Sequence, residues 1–73
     1  MSAIKQHRRI LGDAIRSERK KAGLSQEKLA EKAGLSTVFI SRVELAKESP
    51  SVDSLVKIAR AMRVRVCELV KDF

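Results

Sequence analysis

Aromatic side chains are nearly missing: Phe39 and Phe73 account for the whole 3%. With so few flat faces the chain has no stacking platform of the kind that single-strand and many RNA binders use, whereas duplex recognition stays open. Cysteine is as scarce. Cys67 alone excludes an internal disulfide, and one Cys with one His cannot complete a four-ligand zinc site, so no metal and no cofactor is expected and the thiol reads as a bystander rather than a redox switch. No apolar run approaches the roughly 20 residues of a membrane span. The basic Lys5, Arg8 and Arg9 are not followed by the long apolar stretch of a secretory signal, and the expected location is the cytoplasm. Paired inward carboxylates, a nucleophile beside a base and a phosphate-cradling glycine loop are absent as well. Neither catalysis nor a small-molecule ligand is expected of so small a core.

What is present describes one small globular domain. Seventy-three residues leave no room for a second, and 44% hydrophobic with 34% charged residues is the composition of a folded chain rather than a disordered tail. The net charge of +7 predicts attraction to a polyanion, either nucleic acid or an anionic membrane surface, without choosing between them. Its distribution is uneven: residues 1–24 hold seven positive and two negative side chains, 25–50 four and four, and 51–73 five and three. A neutral middle flanked by basic segments fits phosphate attraction supplied by the surroundings and base selection by a few side chains. A membrane-surface helix would instead carry its basic and apolar faces on one segment.

That middle is SQEKLAEKAGLSTVFISRVE, Ser25 to Glu44. Leu29, Ala33, Leu35, Ile40 and Val43 stand where two crossing helices would bury them, and Ala30 permits a close crossing. Ser25 is a good N-cap with Glu27 in the first turn. Gly34 can take the left-handed conformation that stops the first helix, after which Leu35 plugs the turn and Ser36 caps the second. The second helix then presents Thr37, Val38, Ser41 and Arg42 opposite Ile40 and Val43, a face that suits a groove of DNA. The spacing predicts a helix-turn-helix over residues 26–44.

Around it the expected order is all-α. Residues 1–6 lack a clear period and read as a flexible basic arm, although Ile4 is able to extend the helix that follows; the domain proper is residues 7–73. A helix runs from His7 to Ala22, with Leu11, Ala14, Ile15 and Ala22 at helical spacing, and Gly23 ends it before Leu24 turns inward. His7 is an exposed arm residue in this reading, and Phe39 packs on the neighbouring helix rather than meeting phosphates. The third helix runs from Thr37 to about Leu45, followed by a polar link to Pro50. Pro50 and the N-cap Ser51 open a fourth, with Leu55, Ile58, Ala59 and Met62 on one face. The alternation RVRV after Met62 resembles a strand, but a lone strand is marginal, and Val66 to Val70 is expected as a short fifth helix that starts poorly because Arg65 occupies the cap position. Val64, Val66, Leu69, Val70 and Phe73 are more apolar surface than so short a helix needs, which points to a homodimer interface.

From Leu11 to Val70 the chain resembles the lambda-repressor-like, Cro-type family of helix-turn-helix regulators, also called the xenobiotic-response-element family. The matching residues are Leu11, Gly12, Ile15, Arg16 and Arg19; Gly23 to Gln26; Leu29 and Ala30; Gly34 and Ser36; Ile40, Ser41 and Glu44; Pro50 and Ser51; and Leu55, Ile58 and Ala59. The resemblance implies a compact five-helix domain, a dimer on a palindromic double-stranded operator, and a transcription regulator that acts as a repressor. It also implies that Gln26, Ser36 and Lys47 contact phosphates, that Thr37, Val38, Ser41 and Arg42 face base edges, and that Arg19 and Glu44 bridge the first and third helices. Arg42 is suited to guanine, and Val38 with the Thr37 methyl to thymine. A protein-interaction module such as an antitoxin-like partner is the alternative for the same fold. Relatives often carry glycine at the places of Ala46 and Arg63, so both following turns are expected to differ.

Overall fold

The computed structural model describes residues 3–73, with side chains from Gln6 onward. Its first element, α1, spans Ala3–Lys21. The start lies upstream of the expected His7 because nothing between Ala3 and Leu11 breaks a helix, and Lys5, Gln6, Arg8 and Arg9 all favour one. Of the expected arm, residues 1 and 2 lie outside the described residues, and the rest belongs to α1. At the other end Ala22 is exposed in the turn and adds nothing to the buried face.

The remaining elements are α2 (Gln26–Ala33), α3 (Thr37–Glu44), α4 (Val52–Met62) and α5 (Val66–Val70). The serines that precede three of them act as expected. Ser25, Ser36 and Ser51 each accept from the backbone N–H three residues on, at Lys28, Phe39 and Ser54, satisfying an otherwise orphan donor. Arg65 makes no such bond at the start of α5. There is no strand among the described residues: Arg63 to Arg65 turn into α5, and Val66 is its first residue.

The first four helices end by one device. At Gly23, Gly34, Ala46 and Arg63 the backbone turns left-handed, with φ of 73°, 69°, 62° and 59°. In each case the next amide reaches back five residues to a carbonyl in the last helical turn: Leu24 to Arg19, Leu35 to Ala30, Lys47 to Arg42 and Val64 to Ala59, at 2.9–3.1 Å. Leu24, Leu35 and Val64 then pack on the core. The two junctions expected to differ therefore keep the same turn geometry as those at Gly23 and Gly34 and carry it on alanine and arginine, where a Cβ in the left-handed region costs about 1–2 kcal/mol.

Packing closes on itself. α1 touches α3 and α5, α2 touches α3 and α4, and α4 meets α5. Inside this ring Ile15, Leu29, Ile40, Val43, Ile58 and Leu69 are fully buried, each contributing on the order of 1.5–3 kcal/mol through apolar area removed from water. Phe39 is half-buried against the same core, as expected. The α1–α3 crossing is set by Gly12, where a Cβ would lie 2.6 Å from the Val43 carbonyl oxygen and 2.8 Å from that of Glu44. No helix among the described residues is long and apolar enough to cross a membrane.

Candidate nucleic-acid interface

α3 is amphipathic across a sharp line. Ile40 and Val43 are buried, while Thr37, Val38 and Arg42 are exposed, Val38 at 69%. An apolar side chain so exposed on a short helix is uncovered by anything in its own chain. Ser41 is half-buried, lining a shallow depression of about 210 Å³ with Arg16, Arg19, Gln26, Glu44 and Leu45. Thus Thr37, Val38 and Arg42 stand on an open face and Ser41 at its inner edge. Ser36 and Lys47, exposed at the two ends of α3, bracket that face.

Behind the face lies an ion pair. Arg19 Nε donates to Glu44 Oε2 at 2.7 Å and Arg19 Nη2 to Oε1 at 3.1 Å, a two-to-two contact from α1 to the last turn of α3. Arg19 Nη1 also donates to the Leu24 carbonyl at 2.9 Å. The Glu44 side chain is 3% exposed and that of Arg19 11%, which makes this a buried bridge rather than a surface contact. Gln26 joins it, its Nε2 donating to Glu44 Oε1 at 3.1 Å. Since a side-chain amide has two N–H donors, the bond uses one and leaves the other for a group outside the protein. Gln26 sits at the first position of α2, whose free N–H groups favour an anion.

Two contacts were not visible in the sequence. Arg42 Nε donates to Glu48 Oε1 at 2.9 Å, an i to i+6 relation that runs through the turn at Ala46 and follows no helical period. His7, although exposed, stacks on Phe73 with ring centroids 5.0 Å apart and planes 24° from parallel.

The expected dimer face needs one correction. Leu69 is 1% exposed, committed to the core of its own chain, and has no surface to offer a second copy. Val64, Val66 and Val70 are half-buried against that core, and Phe73 is exposed at 55%. Cys67 is exposed, and the described residues hold no cluster of His, Cys, Asp and Glu able to bind a metal.

Two short helices crossing at a left-handed glycine turn, the second braced from behind and open in front, define a helix-turn-helix domain. The chain belongs to the Helix-turn-helix family (HTH_3), whose model matches residues 15–69. This is a family of DNA-binding transcription regulators and not of enzymes. An uncharacterized HTH-type transcriptional regulator of Mycobacterium tuberculosis is 45% identical over 53 residues, which cover 73% of this chain and 38% of that protein. The immunity repressor protein of Bacillus phage phi105 is 35% identical over 62 residues, covering 85% and 43%. The chain thus spans about two fifths of the length of these curated relatives. Among solved structures, the restriction-modification controller protein C.AhdI from Aeromonas hydrophila matches with a TM-score of 0.83 and 32% identity, covering 85% of this chain and 94% of that one.

Proposed function

We propose that this domain reads double-stranded DNA through the major groove with α3 and, as a homodimer on a palindromic operator, represses transcription in the cytoplasm. The observation that carries the reading is the contrast across α3: a buried Ile40 and Val43 on one side, an exposed Thr37, Val38 and Arg42 on the other, with the Arg19–Glu44 bridge holding the helix in place. In this reading Arg42 donates to guanine, Val38 and the Thr37 methyl meet thymine methyls, and Ser41 takes the base edge nearest α2. Gln26, Ser36 and Lys47 hold phosphates on either side and fix the depth of α3 in the groove. The net charge of +7 supplies attraction to any duplex, and the few groups on α3 supply choice.

One domain covers only a half-site, which is why a dimer is part of the proposal. Val64, Val66, Val70 and Phe73 are the surface assigned to the second copy, with Leu69 supporting it from the core. Repression is favoured by the likeness to a phage immunity repressor.

Selection of bound duplexes from a random pool tests the whole reading. The expected product is an inverted repeat with half-sites about one helical turn apart, and sedimentation of the free protein shows a dimer that Phe73→Glu weakens. Failure to retard any genomic fragment at low salt contradicts it and favours a protein-interaction module on the same fold.

A further inference from the structure

Arg42 does not stand free on the open face of α3. Its Nε is held by Glu48 at 2.9 Å, and Glu48 arrives there because the intervening turn is pinned. The Lys47 amide donates to the Arg42 carbonyl at 2.9 Å and the Ala46 amide to that of Val43 at 3.1 Å. The side chains are 50% and 41% exposed, so the pair adds little to folding stability. Geometry gives it a different use. The carboxylate takes the Nε edge of the guanidinium and leaves the Nη1–Nη2 end, which is the end that donates to guanine O6 and N7. An arginine without a partner must lose several side-chain rotations when it docks on a base, whereas one already held loses fewer.

We infer that Glu48 is a positioning residue for base readout, holding Arg42 extended with its terminal nitrogens toward the groove and, by neutralising it, keeping it from acting as a general phosphate anchor. The inference rests on the DNA-reading role proposed above for Arg42. Its physical content is an exchange of affinity for selectivity. A carboxylate near the phosphates weakens binding to every duplex, while the restrained fork favours the one base whose acceptors match it. Glu48 thereby works opposite to Lys47, its neighbour in the chain, which strengthens binding to all sequences.

The test compares wild type, Arg42→Ala, Glu48→Ala and Glu48→Gln on the selected duplex, on the same duplex with each guanine replaced in turn, and on an unrelated duplex, over a range of salt. Wild type is expected to prefer one guanine by on the order of tenfold or more, and Arg42→Ala to lose that preference. Glu48→Ala is expected to lose several-fold of the same preference while binding the unrelated duplex more tightly, with a salt slope steeper by about 0.9 as Arg42 becomes a phosphate contact. Glu48→Gln keeps an acceptor for Nε, and recovers part of the preference. If Glu48→Ala tightens binding to all duplexes by one factor and leaves the guanine preference intact, Glu48 merely repels phosphate and the inference is overturned while the role of Arg42 stands. If Arg42→Ala keeps the preference, the DNA-reading role of Arg42 is itself wrong and the inference goes with it.

Discussion

Gly12 of α1 faces the backbone of α3 so closely that a methyl group in its place would sit 2.6 Å from the Val43 carbonyl oxygen. On a solvent-facing helix the change to alanine stabilises by about 1 kcal/mol through propensity alone. Here the sign reverses, because backbone cannot swing aside as a flexible side chain does, and overpacking costs about 1–3 kcal/mol. Gly12→Ala is expected to lower the melting temperature by roughly 5–15 °C. A rise would show that the two helices are not in contact at this point.

The Arg19–Glu44 bridge yields a prediction with an internal control. Removing one buried partner strands the other charge, so Glu44→Leu is expected to destabilise by about 3–5 kcal/mol in urea unfolding, enough to unfold much of so small a domain. Replacing both, Arg19→Met with Glu44→Leu, removes the stranded charge and recovers most of the loss. If the double variant is as unstable as the single one, the bridge contributes through more than charge pairing.

The left-handed turns at Ala46 and Arg63 mark places where stability has been left unused. Glycine at either position relieves the Cβ strain but gives back part of it in unfolded-state entropy, for an expected net gain of about 0.5–1 kcal/mol each in thermal melts. Gly34→Ala, in the matching turn between α2 and α3, is expected to lose a similar amount. Equal melting temperatures for Ala46→Gly and the parent would mean that the turn relaxes in solution.

Much of this was legible in the residues, and the exceptions have physical causes. α2, α3 and α4 begin where expected because a serine cap marks each approach, and α2 ends at Gly34 for an equally local reason. The first residues of the sequence repeat no clear apolar period, so periodicity alone sets the start of α1 too late. Gly12 sits inside a helical pattern, where a glycine looks like a cost until the neighbouring helix is in view. Glu48 meets Arg42 only through a turn whose left-handed residue is an alanine. Leu69 was misassigned because five residues of helix are too few to show which side faces in.

Two basic residues at opposite edges of α3's C-terminal turn are expected to fail in different ways. Arg42→Ala is predicted to reduce discrimination at one base pair by a factor corresponding to about 1–3 kcal/mol while unrelated duplexes bind almost as before. Lys47→Ala is predicted to weaken all duplexes alike and to lower the salt slope by about one. Fluorescence anisotropy at several salt concentrations separates the two, and identical behaviour would deny α3 a special part in selectivity.

The most direct measurement is a titration of isotope-labelled protein with its selected duplex, following backbone amides by NMR. Large shifts at Gln26, at Ser36 through Arg42 and at Lys47, with α4 and the N-terminal half of α1 nearly still, are what the account predicts. Shifts gathered along α1 and α5 instead, with Thr37, Val38 and Arg42 unmoved, would contradict it.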